Sequence, residues 1–147
     1  MRRFKFSLES VLIVREKTLE DERIKLALIL NELNKQKEIL NKISQEFKQV
    51  QENSGKYLDA IEFNPLIITN YHSFLEQLSQ KMLAQEKVIQ RTQIELNKQQ
   101  EITKQAYIQV KTLEKLKEKQ KEQYNKEFLQ EEFKLIDDIV NSRRITA

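Results

Sequence analysis

Residues 8–57, LESVLIVREKTLEDERIKLALILNELNKQKEILNKISQEFKQVQENSGKY, decide the fold. Leu12, Leu19, Leu26, Leu33, Leu40 and Phe47 recur at seven-residue intervals, and a less regular set of Leu8, Ile29, Ile43, Val50 and Tyr57 falls between them. Together they alternate steps of four and three. That average of 3.5 residues holds a narrow apolar stripe against a partner helix. The stretch therefore predicts a long coiled coil and argues against a globular enzyme.

Working outward, the composition agrees. A third of the 147 residues are charged, and Gly and Pro occur once each. This mixture with heptad periodicity marks long helices. The 39% apolar content, arranged in stripes, will not build a thick core. Without cysteine, disulfides and thiolate metal or redox sites are excluded. A formal charge of +3, from 26 basic and 23 acidic residues, is too balanced to indicate nucleic acid. No apolar run approaches the roughly 20 residues that span a bilayer. Met1-Arg2-Arg3-Phe4-Lys5 superficially resembles the start of a signal peptide, but Glu9, Arg15, Glu16 and Lys17 interrupt any apolar region after it. The reading is a mature cytoplasmic N-terminus without membrane insertion.

Along the chain, Ser7 is the expected N-cap of the first helix and Glu9 suits its positive end. That helix is expected over about 7–61, with weak propensity at Asn53-Ser54-Gly55 where it could fray or stop. A turn follows over about 62–70 around Asn64-Pro65, since proline disfavours helical angles in the residue before it. Two starts for the second helix stay open: Asn64 as N-cap with Pro65 first in the helix, or a start near Asn70 or Ser73, where Ser73-Phe74-Leu75-Glu76 has capping-box spacing. The second helix is expected over about 71–141.

Its heptads are Met82, Ile89, Leu96, Thr103, Val110, Lys117 and Tyr124, with companions Leu78, Gln85, Thr92, Gln99, Ala106 and Leu113. If the turn is centred on 64–65, residue i faces 129−i. This rule sets Phe47 near Met82, Leu40 near Ile89, Leu33 near Leu96, Leu19 near Val110 and Gln36 near Thr92, so apolar meets apolar and polar meets polar. The whole chain is thus expected to be one all-α domain, two long helices in an antiparallel coiled-coil hairpin. Leu8 pairs at about residue 121, so helix 2 should project beyond helix 1 through a charged segment with Glu114–Lys117, Glu118–Lys121 and Glu122–Lys126 pairs. Beyond it, Phe128, Leu129, Phe133, Leu135, Ile136, Ile139 and Val140 form an apolar face with no intramolecular partner, which suggests docking or self-association. Polar residues within the stripes, Arg15, Glu22, Gln36 and Thr92, either control register or are tolerated at partly exposed seam positions.

No catalytic constellation is present. His72 is the only histidine and reads as exposed or structural. Glu20-Asp21-Glu22, Glu131-Glu132 and Asp137-Asp138 lack convergent ligands, so neither metal nor cofactor is expected. One glycine cannot form a phosphate-binding loop, so any ATPase involved would be another protein.

Phe4-Lys5-Phe6-Ser7-Leu8-Glu9-Ser10-Val11-Leu12-Ile13-Val14-Arg15-Glu16 resembles the start of the FliJ family, the coiled-coil component of the bacterial flagellar type III export apparatus. Asn70 to Leu78 is similar to the start of the family's second helix, and the size and layout extend the likeness over the chain. The resemblance implies a non-enzymatic, stalk-like antiparallel coiled coil that links the export ATPase FliI to the export gate protein FlhA and assists export chaperones. It would sit in the cytoplasm, peripherally at the inner face of the membrane. The end bearing both termini would engage the ATPase, through Phe4, Phe6, Phe128, Leu129, Phe133, Ile136 and Val140. A surface nearer the hairpin tip, with Ile43, Phe47, Val50, Phe74 and Leu78, would contact the gate. Phe47 stands where the family often has Tyr. The competing readings are a generic scaffolding coiled coil and, disfavoured by the mixed charges, a helical nucleic-acid binder.

Overall fold

The computed structural model describes residues 2–59 and 64–146. It comprises α1 (Glu9–Leu58, 50 residues) and α2 (Pro65–Thr146, 82 residues), with no strand among the described residues. The chain divides into two units, Met1–Glu22 with Thr103–Ala147 and Arg23–Ile102. In both units the helices run antiparallel.

In the first unit, Glu9 meets Lys117 at 2.8 Å, the Arg15 guanidinium donates to Gln109 at 2.8 Å, and the Thr103 hydroxyl donates to the Glu22 carbonyl at 3.4 Å. The seam positions do what their spacing requires. Phe6, Leu12, Leu19, Ala106 and Val110 form a buried cluster, with Phe4 and Leu113 packed on it. In the second unit Leu33 and Leu78 are only 2% and 1% exposed, and Leu96 is buried with them. Full burial of such a side chain contributes about 1.5–3 kcal/mol. Thr92 and Gln99 are also buried. The Thr92 hydroxyl donates back to the Val88 carbonyl at 3.1 Å within its own helix, which satisfies it without a cross-helix partner.

The hairpin is therefore as the heptads demand, but its details differ from expectation in four ways. First, α1 begins at Glu9. The Phe6 carbonyl accepts from the Glu9 amide at 3.1 Å and the Leu8 carbonyl from Leu12 at 2.9 Å. A tight turn thus precedes the first α-helical bond. Second, α1 runs through Asn53-Ser54-Gly55 to Leu58, because packing of the flanking Val50 and Tyr57 outweighs three weak formers. The expected helix end at Ile61 and turn start at Glu62 lie outside the described residues.

Third, α2 starts at Pro65, about six residues before the expected 71, and continues past 141 to Thr146. The Asn64 side-chain oxygen accepts from the Leu66 amide at 3.0 Å, and the Tyr57 hydroxyl accepts from the Asn64 amide at 3.0 Å. Of the two starts considered, the Asn64 cap with Pro65 as first helical residue is the one observed. Fourth, most cross-helix pairs fall about one helical turn short of the 129−i rule. At Gln36 the shortfall is about two turns: Gln85, and not Thr92, donates to its carbonyl at 2.9 Å. Pro65 lies inside α2, so the interruption between Leu58 and Pro65 is centred ahead of 64–65, and the register moves with it.

Candidate partner-binding surfaces

At the end of the first unit, the non-helical residues before α1 lie back on α2. The Phe4 ring is 5.7 Å from Tyr124, tilted by 52°, and Tyr124 is 6.5 Å from Phe128 in a stacked arrangement. Aromatic pairs at such separations add stabilisation beyond their buried area. The Tyr124 hydroxyl donates to the Arg2 carbonyl. Lys117 turns across to Glu9 instead of pairing with Glu114, which bonds Lys111 at 3.0 Å. The N-terminal segment thus covers α2 as far as Tyr124, a few residues beyond the expected limit near 121.

From Asn125 to Ile145 every side chain is exposed. Of the residues assigned from sequence to this end, Phe6 is buried in the core and Phe4 is half-buried against Tyr124, while Phe128, Leu129, Phe133, Ile136 and Val140 face solvent. At 100° per residue these five, with Leu135 and Ile139, share a face about 160° wide. That is broader than the stripe a two-helix seam uses. Arg143 and Arg144 occupy the last turn, where positive charge suits the helix C-terminus.

In the second unit the residues assigned to a gate-contacting surface are split. Leu78 is wholly buried in the seam and presents no surface, while Ile43, Phe47 and Val50 are half-buried and Phe74 is exposed. Phe47 lines a depression with His72, Leu75, Glu76 and Ser79. Phe74 lines another with Ile67, Asn70 and Tyr71. Leu58, Leu66 and Ile67 are exposed around the turn, and Tyr57 and Tyr71 pack at 6.1 Å. Leu66 and Ile67 precede the span of about 71–141 expected for the second helix and Tyr71 opens it, and none of the three is among the residues expected to contact a partner. The apolar run Leu66-Ile67-Ile68 beside the only proline was the available signal.

The model of one protein family, described as Flagellar FliJ protein, matches residues 4–146. The chain belongs to the FliJ family. It is therefore a component of the flagellar export apparatus, whose family members are structural parts of that machinery. No curated protein and no solved structure matches the chain significantly. The match spans both helices of this FliJ-family chain, residues 125–146 included. Among the described residues, no group of His, Cys, Asp and Glu could hold a metal ion, and no helix is long and apolar enough to cross a membrane.

Proposed function

We propose that this chain acts without catalysis, as a stalk that connects the export ATPase FliI to the export gate protein FlhA and assists export chaperones, at the cytoplasmic face of the membrane. The observation that carries this reading is the overhang: a family member of the export apparatus carries a helical segment whose apolar residues, Phe133 at 65% exposure among them, have no cover among the described residues. The ATPase is the occupant the family resemblance names. Phe128, Leu129, Phe133, Ile136 and Val140 make the contact, while Phe4 and Phe6 hold the N-terminal segment in place behind it. Near the turn, Phe74 with Ile67 and Tyr71, and the outer edges of Ile43, Phe47 and Val50, offer the gate-facing surface. Leu78 supports it from below.

The test is a pull-down with FliI from the same organism, using the full chain and a chain truncated after Lys126. Binding by the full chain and loss on truncation are expected. Equal binding by both would remove the overhang from the ATPase contact, and no binding by either would leave a scaffolding coiled coil.

A further inference from the structure

Glu132 stands apart from the other carboxylates of the overhang. At 100° per residue it falls near the middle of the apolar face, between Phe128 and Ile136, whereas Glu127, Glu131, Asp137 and Asp138 fall on the opposite side. The positions three and four residues away on either side of Glu132 are Phe128, Leu129, Leu135 and Ile136. None can supply the cation that usually steadies a helical glutamate. The side chain is exposed in the free chain, so its charge there is hydrated at no cost. Any partner that covers this face strips that water away. A carboxylate desolvated without a counter-charge opposes binding strongly, and one met by a cation favours it.

The width of the face narrows the kind of partner. A single helix covers only the stripe that a two-stranded seam needs, and Leu129, Phe133 and Val140 would stay in water. A second copy, pairing antiparallel, could bring Arg143 near Glu132 but would leave the same three residues uncovered. An anionic membrane surface would meet the Glu132 carboxylate in the middle of the apolar face, and the five carboxylates of residues 125–147 outnumber the four cations, so the segment gains no net attraction to it.

We propose that the overhang docks into a protein cleft with two apolar walls whose floor carries an Arg or Lys, and that this cation pairs with Glu132 and selects the partner. The inference rests on the proposed docking of this segment to the export ATPase, and it names the chemistry of the receiving site.

The experiment measures binding of the full chain to FliI for wild type, Glu132→Leu and Glu132→Lys, with circular dichroism confirming unchanged helix content. Making the face wholly apolar would tighten an ordinary hydrophobic contact, so the sign of the leucine variant decides. A paired cation predicts weakening by about 30-fold for Glu132→Leu and more for Glu132→Lys. Wild-type binding matched or exceeded by Glu132→Leu overturns the cation while leaving the proposed function intact. Absence of wild-type binding defeats the proposed function itself. Two other results overturn the inference: a dimer in sedimentation equilibrium that Glu132→Lys dissociates, or cosedimentation with phosphatidylglycerol-containing vesicles through the same residues.

Discussion

Gln85 Nε2 donates to the backbone carbonyl of Gln36 at 2.9 Å, while the Gln36 side-chain oxygen is buried without a hydrogen-bond partner. One seam position is therefore satisfied by its neighbour and the other is not. An unmet buried oxygen costs about 1–3 kcal/mol. Replacing Gln36 with Leu is expected to raise stability by about 1 kcal/mol, and Gln85→Ala to lower it by about the same. Urea unfolding followed by circular dichroism measures both. A lower midpoint for Gln36→Leu would contradict the idea that this amide is an energetic weak point.

Two leucines carry the second unit. Leu33→Ala and Leu78→Ala are each expected to cost about 3 kcal/mol, since a large side chain is removed from a site that cannot fully collapse. Phe133→Ala, at an exposed position, should change stability by no more than about 0.5 kcal/mol. The contrast separates seam from surface in one denaturation series.

Gly55 lies inside α1 with open space where a Cβ would sit, and no residue has positive φ among those described. Gly55→Ala therefore meets no steric objection and gains helix propensity. A stabilisation of about 0.5–1 kcal/mol is expected, visible as a higher thermal midpoint.

Asn64 caps α2 through the Leu66 amide. Asn64→Ala should cost about 1 kcal/mol and Asn64→Asp should be close to neutral, because the carboxylate accepts the same bond. Amide exchange in the first turn of α2 reads the cap directly, with faster exchange expected only for the alanine variant.

The hairpin was legible because burial follows the heptads: Leu12, Leu19, Leu33, Leu96 and Val110 are all buried where the 3.5-residue step puts them. Its register was less so. The 129−i rule puts the proline at the centre of the turn, whereas its fixed φ and missing amide suit the first turn of a helix, the other start that Asn64-Pro65 allows. That single placement moved the second-helix start and the pairing of Gln36 together. The charged stretch after Glu114 shows a different limit. Spacing alone pairs Lys117 with Glu114, but only the folded chain brings Glu9 within reach. The surfaces were the least readable. Phe6 has the residue type of Phe133 but lies ahead of the heptads, and Leu78, a seam position by spacing, is also a residue that the resemblance assigns to the gate surface. Glu132 was visible only as half of an acidic pair until the breadth of the exposed face gave its position meaning.

The bond from Tyr124 to the Arg2 carbonyl joins residues 122 positions apart, while Tyr57 and Tyr71 meet beside the turn. During synthesis, at about 5–20 residues per second, the N-terminal segment waits roughly 6–25 s before Tyr124 exists to receive it. The turn end of the hairpin can close long before that. The residues around Phe4 are thus among the last to find their place. A chain stalled between Leu113 and Tyr124 could bury Phe6 against Ala106 and Val110 but would leave Phe4 without the ring that half-covers it.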